Sequence, residues 1–91
     1  LVALARWRLA GLQLQDQDWT GAKASLTEHK VPDAFKALFE ERLGDLAKLQ
    51  NQNDQARNSY QKAWAAAQAG SDHRRWLEIK LAALGVQPQE K

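Results

Sequence analysis

Arg42-Leu43-Gly44-Asp45-Leu46, followed after a polar break at Gln50-Asn51-Gln52-Asn53 by Ala56-Arg57-Asn58-Ser59-Tyr60-Gln61-Lys62-Ala63, decides how this chain folds. Both runs have helical composition, and the break between them is a tight turn. Gly44 sits in the middle of the first run, where glycine costs about 1 kcal/mol against alanine. A second helix lying very close offsets that cost, because the missing Cβ makes room for it. The second run supplies such a helix. Ala56, Tyr60 and Ala63 fall on one face as small, large, small, which is what a close antiparallel neighbour needs.

The unit occurs twice. Leu9 and Leu43, Ala10 and Gly44, Ala22 and Ala56, and Leu26 and Tyr60 are all 34 positions apart, and Asp16-Gln17-Asp18 falls where Gln50-Asn51-Gln52 falls. A helix-turn-helix unit with a 34-residue period, pairing Leu-Gly with a later Ala-x-x-x-aromatic, is similar to the tetratricopeptide repeat (TPR). The expected fold class is all-α: a TPR-like right-handed superhelix of antiparallel helix pairs, with two repeats and a C-terminal capping helix.

The 91 residues make one small domain, and 44% hydrophobic with 26% charged residues fits a soluble globular chain able to bury a modest core. Ala, Leu, Gln, Lys and Glu dominate and β-branched residues are scarce, which favours helix throughout. A net charge of +2 does not by itself argue for a polyanionic partner. The absence of cysteine excludes a disulfide framework and a thiolate metal site. No apolar run approaches the roughly 18 residues that cross a bilayer. A start at Leu1 and the lack of any methionine predict a fragment of a longer protein, with its natural N-terminus and any anchor removed.

Taken in order, helix one is expected from about Val2 to Gln15, with Leu4, Trp7, Leu9 and Leu12 on its apolar side and Ala5 and Ala10 as small contact points. Helix two, capped by Asp18, runs from about Trp19 to His29 with Trp19, Ala22 and Leu26 inward. These form repeat one, about 2–29. Pro32 breaks the chain and Asp33 caps helix three, from about Ala34 to Gln50, with an apolar stripe of Phe35, Leu38, Phe39, Leu43, Leu46 and Leu49. Helix four, capped by Asn53, ends at Gly70 and completes repeat two, about 34–69. Ser71 or Asp72 caps helix five, about 72–84, stopped by Gly85 and Pro88; Gln87–Lys91 is a tail. One more step of 34 sets Glu78 opposite Gly44, where a glutamate does not fit. Helix five therefore reads as a terminal cover for repeat two rather than a third repeat.

No catalytic constellation is present, and neither a cofactor nor a metal is expected. His29 lies at a helix end and His73 is expected in solvent; neither is expected to bind a metal. Glu40, Glu41 and Asp45 are interleaved with Lys36, Arg42 and Lys48, which predicts a solvated, charge-paired face rather than acid–base chemistry. Arg74-Arg75-Trp76 carries a basic-aromatic signal for nucleic acid, but the simpler expectation is two arginines dressing a helix start while Trp76 packs inward. The four tryptophans read as core or groove anchors. Binding of protein remains. First helices line the concave side of such stacks, which places Trp7, Gly11 and Leu14 from helix one beside Leu38, Glu41, Arg42, Asp45, Lys48 and Leu49 from helix three. These nine form the candidate groove for a peptide or partner helix; alternatively, helix five covers Leu38 and Leu49.

Three strings, Ala5-Arg6-Trp7-Arg8-Leu9-Ala10, Phe39-Glu40-Glu41-Arg42-Leu43-Gly44-Asp45 and Leu77-Glu78-Ile79-Lys80-Leu81-Ala82-Ala83-Leu84-Gly85, in that order and with the terminal single helix, resemble the C-terminal region of YfgM-type proteins. That resemblance implies a bacterial inner-membrane protein with a periplasmic TPR domain, acting as an ancillary subunit of the Sec translocon. Its implied partners are the translocon, the periplasmic folding factor PpiD and newly exported polypeptides. Arg6 and Glu40 stand where the repeat usually has Trp, and Asn51 and Asn53 replace the turn glycine and turn aromatic, so a looser second turn is expected. The readings to be separated are this one, a generic TPR adaptor in another assembly, and a helical nucleic-acid binder using Arg74 and Arg75.

Overall fold

The computed structural model describes residues 2–87, all helices and turns. The helices are α1 (Val2–Gln15), α2 (Trp19–Thr27), α3 (Lys36–Leu49, entered through a single 3₁₀ turn at Asp33–Phe35), α4 (Asn53–Ala66) and α5 (Asp72–Ala83). Two hairpins, α1–α2 and α3–α4, pack side by side, and α5 lies on α4. The assembly measures 31 × 29 × 18 Å, and the short dimension matches two helix layers of roughly 10 Å each. Residues 88–91, including Pro88 and most of the expected tail, lie outside the described residues.

The two hairpin turns are copies at the level of single hydrogen bonds. Gln17 (φ 61°) and Asn51 (φ 62°) both take the left-handed conformation. In the first turn the Gln17 N–H donates to Leu14 O at 3.1 Å and Asp18 N–H to Gln13 O at 2.8 Å; in the second, Asn51 donates to Lys48 O at 3.0 Å and Gln52 to Ala47 O at 2.8 Å. This double closure is the Schellman arrangement, which satisfies the last carbonyls of a helix. Gly85 (φ 79°) ends α5 in the same way, with Gly85 donating to Ala82 O and Val86 to Leu81 O. The second turn is therefore as tight as the first, contrary to expectation: asparagine accepts the left-handed conformation that glycine was thought necessary to supply. Gln17 accepts it less well. Gln17→Gly is expected to raise the melting temperature by about 4 °C, equivalent to about 0.5–1 kcal/mol in a domain of this size, and Asn51→Gly by less. Thermal melts followed by circular dichroism measure both; a fall for Gln17→Gly would place that residue in another conformation.

Capping follows the sequence at two starts and departs from it at two. Asp18 accepts from the Gly21 N–H at 3.0 Å, and Ser71, not Asp72, accepts from the Arg74 N–H at 3.1 Å. Asp33 lies inside the 3₁₀ turn and Asn53 inside α4, so neither caps with its side chain. Helix α4 ends at Ala66 rather than Gly70: Ala67 turns to extended backbone and is buried in the core, and Gly70 (φ 77°) serves the turn beyond.

The core is built on the small residues. Ala10, Ala22 and Ala56 are fully buried, and Gly44 is buried beside them. A Cβ on Gly44 would stand 2.6 Å from Cδ1 and Cε1 of Tyr60, so the tyrosine ring occupies the space the glycine leaves. In the first unit the pair is Ala10 with Leu26, one larger and the other smaller. Leu77 and Leu81 of α5 join Tyr60, Ala63, Trp64 and Ala67 in one buried cluster. On α1 only part of the expected apolar side is turned outward: Leu4 and Trp7 are half-buried, but Leu9 and Leu12 are exposed, and so is Ala5. They stand 34 positions before Leu43, Leu46 and Phe39, which pack towards Leu26 and Ala22 of α2. Among the described residues nothing lies on the matching side of α1.

Candidate functional site

Three helices, α1, α3 and α5, contribute to one continuous polar-aromatic surface. Its first part joins α1 to α3. The Arg42 guanidinium lies 3.9 Å over the Trp7 ring, and the Trp7 Nε1–H donates to Leu38 O at 3.2 Å. Gly11 makes this stack possible, since a Cβ there would come within 2.5 Å of Nη1 of Arg42. A cation over an indole stabilises by about 0.5–2 kcal/mol, more as water is excluded. Burial holds the Arg42 pKa below its ordinary value, with Asp45 and Glu41 opposing the shift.

The second part joins α3 to α5. Lys80 Nζ donates to Glu41 Oε2 at 2.8 Å and to Asp45 Oδ1 at 3.0 Å, and His73 Nε2 lies 2.8 Å from Glu41 Oε1. The Tyr60 hydroxyl donates to Asp45 Oδ1 from α4. Glu41 is the centre of this seam, its side chain only 12% exposed. Burial pushes its pKa up, but the hydrogen bonds and charges of Lys80 and His73 outweigh that and hold it below the usual carboxylate range. Burial likewise lowers the Lys80 pKa, and the two carboxylates overcome it to leave it raised. Tyr60 is raised, first by burial and then by Asp45.

These contacts revise three expectations. Among the described residues Glu41 and Asp45 form no ion pair along their own helix with Lys36, Arg42 or Lys48; their ionic partners, His73 and Lys80, are 32 to 39 positions away on α5. His73 is half-buried in that pairing rather than free in solvent. The roles of Arg74 and Trp76 are exchanged. Arg74 is buried, its guanidinium 3.6 Å over the Trp64 ring and its Nε donating to Trp64 O at 3.0 Å, while Trp76 is 53% exposed. Arg75 pairs with Asp72 within its own helix turn. Arg74-Arg75 is thus not a pair of available cations.

Of the nine candidate groove residues, Trp7, Leu38, Glu41, Arg42 and Asp45 line one cavity of about 180 Å³, and Gly11 backs it. Leu14 is not in the groove: it is buried with Ala22 and Leu46 between the hairpins. Lys48 and Leu49 lie beyond the cavity on the exposed end of α3, and Leu49, 55% exposed, is not covered by α5. Trp76 is the residue sequence reasoning missed. It stands beside the seam, with Lys80 Nζ 6.0 Å from its ring.

Stacked antiparallel helix pairs presenting a lined face on their first helices define a helical-repeat interaction scaffold. Residues 1–86 match the tetratricopeptide repeat-like domain, so the chain belongs to that family, and its fold is all-α and TPR-like. No curated protein matches the chain. No solved structure matches it. Among the described residues no helix is long and apolar enough to cross a membrane.

Proposed function

We propose that this domain is a non-catalytic protein-interaction module whose binding face runs along α1, α3 and α5. It divides into repeat one (2–29), repeat two (34–69) and a terminal helix (72–84). The observation that carries the binding face is the joint lining of one cavity by Trp7, Leu38, Glu41, Arg42 and Asp45, residues drawn from both hairpins. A partner's polypeptide segment would meet aromatic faces at Trp7 and Trp76, an apolar step at Leu38, and hydrogen-bond donors at Arg42. Membership of the tetratricopeptide repeat-like family supports protein as the partner class. The three strings that resemble YfgM-type proteins support a finer reading: the periplasmic face of the bacterial inner membrane, with the Sec translocon, PpiD and exported chains as partners. The burial of Arg74 on Trp64 weighs against the nucleic-acid alternative.

The test must spare the seam. Charge reversal at Glu41 or Asp45 would unseat Lys80 and damage the fold along with binding. A photo-crosslinking residue at exposed Lys48 or Trp76, in the membrane-bound full-length protein, probes the face instead, with exposed Thr20 on α2 as control. Adducts to translocon subunits or PpiD from positions 48 and 76, lost with Arg42→Ala and absent from position 20, are the expected result. Adducts only to unrelated assemblies would favour a generic adaptor. Equal adducts from all three positions would remove the binding face.

A further inference from the structure

Within the binding face proposed above, and resting on that reading, we infer that Arg42 selects the bound segment by a carboxylate: an Asp or Glu side chain of the partner, held at the cavity between α1 and α3. Two equivalent junctions of the fold treat a cation differently. Helix α5 follows α3 at a step of 38, four more than the step from α1 to α3. Lys80 then matches Arg42, while Leu77 matches Phe39 and Leu81 matches Leu43, all four of these leucines and phenylalanine buried or half-buried. The four extra residues restore the register that a step of 34 denies to α5. Each cation reaches back to the preceding first helix. Lys80 meets Glu41 and Asp45 there. Arg42 meets Trp7 and Gly11, which stand 34 positions before those two carboxylates. At one junction the cation thus has its carboxylates within the chain. At the other it has a ring to lie on and a gap to lie in, and neither neutralises it.

Arg42 makes no hydrogen bond and no ion pair among the described residues; its one specific contact there is the Trp7 ring. A guanidinium stacked on a ring keeps its in-plane N–H groups for a bidentate carboxylate. The neighbouring acids do not supply one. Both oxygens of Glu41 and Oδ1 of Asp45 are taken by Lys80, His73 and Tyr60. Burial keeps the Arg42 pKa below its ordinary value in spite of these acids, so the site holds less negative charge than its cation calls for. The α1 side adds none. Helix α1 carries no acid, and Arg8, 34 positions before Arg42, is exposed and in no ion pair among the described residues. An acidic segment is drawn to such a surface and a basic one is repelled. The carboxylate belongs to a side chain rather than to a chain end. Leu38 shares the cavity with Arg42, and its matches are Leu4 on α1 and Trp76 on α5, half-buried and exposed respectively. This apolar row runs past the cavity on both sides, so a segment lying along it passes Arg42 in mid-course.

Random twelve-residue peptides displayed on phage, joined to the coat protein by their C-termini so that no terminal carboxylate is free, test this when selected on the purified chain. Enriched sequences are expected to share an Asp or Glu at one fixed place among apolar residues. An amidated synthetic peptide of that sequence, read by fluorescence anisotropy, should bind at least about tenfold more weakly once its acid is changed to the matching amide, the loss expected for a charge-assisted pair. The same change should cost little against Arg42→Gln, which isolates the pair. Arg42→Lys, keeping the charge but not the planar fork, should recover only part of the affinity. The change on the peptide leaves the protein's fold untouched, so it reads the pair even where an Arg42 variant melts earlier. Enriched sequences with no acid in common, or acid dependence that survives Arg42→Gln, would overturn the inference and leave the binding face standing. No enrichment at all would overturn both. A peptide bound by this chain but refused by the full-length protein would assign the carboxylate to the chain's own continuation and contradict a partner's.

Discussion

Gly44→Leu is expected to lower the melting temperature by roughly 15 °C, or to leave the chain unfolded at 37 °C. A methylene forced into a filled site costs about 1–3 kcal/mol, and here the first atom added already meets the Tyr60 ring at 2.6 Å. Tyr60 is among the largest fully buried side chains and its hydroxyl is fixed on Asp45, so it cannot swing aside. Three kcal/mol in a domain of this length corresponds to about 12–24 °C. Gly44→Ala should cost less, since alanine returns about 1 kcal/mol of helix propensity. The informative variant is Gly44→Ala with Tyr60→Leu, which copies the Ala10 and Leu26 pair of the first unit. If the two hairpins are equivalent, Tyr60→Leu should cost less in the Gly44→Ala background than in the parent. A double-mutant cycle by thermal denaturation measures that coupling.

Lys80→Met is expected to destabilise by about 2 kcal/mol and to loosen α5 before the rest. Removing one member of a buried ion pair costs about 3–5 kcal/mol. The side chains here, 21% exposed for Lys80 and 12% for Glu41, retain enough water contact to reduce it. Hydrogen exchange should accelerate in residues 72–83 ahead of α3 and α4. The pH dependence follows from the same groups. Glu41, lowered in the folded state, contributes above its ordinary pKa of 4.5 and loses that contribution as pH falls through its folded value. Lys80 and Tyr60, raised when folded, contribute below 10.5 and 10.0 and lose it as pH rises through their folded values. Stability should therefore be flat between about pH 5 and 10 and fall on both sides. In Lys80→Met both falls should be shallower. An unchanged pH profile would mean that the seam is open in solution.

The repeat was legible because its markers are local and of unusual type. A glycine inside a helix, alanines at fixed spacing and two polar turns can be compared along the sequence without any knowledge of contacts. Even Gln17 and Asn51, which share no chemistry with glycine, were placed as equivalent turn residues, and their φ values agree. What escaped were pairings between helices. Nothing near Glu41 shows that its cation is Lys80, since Lys36 and Lys48 are nearer in sequence; only the docking of α5 brings the distant lysine within 2.8 Å. Arg74 and Trp76 exchanged roles because both suit a half-buried helix start, and the Trp64 ring that selects the arginine belongs to α4. Leu9 and Leu12 were counted as core because apolar spacing identifies a face but not whether another element covers it. Leu14 was set in the groove because first helices line the concave side; it is instead buried where the two hairpins meet.

The groove residues divide on the same principle. Trp7, Leu38, Glu41, Arg42 and Asp45 come together around one cavity, with Gly11 behind it, because the repeat fixes which side of each first helix faces its neighbours. What the sequence did not reveal is that Gly11 clears space for the Arg42 guanidinium, a contact made across helices.

The nesting of the hairpins on their small residues is tested most directly by proton–proton contacts in solution. In a nuclear Overhauser spectrum of the labelled chain, the Gly44 α-protons should show strong cross-peaks to the Tyr60 ring, and the Ala10 methyl to the buried cluster of Leu26 and Phe39. Gly44 and Ala10 with cross-peaks only to their own helix turns, and amides exchanging at solvent rates, would contradict it.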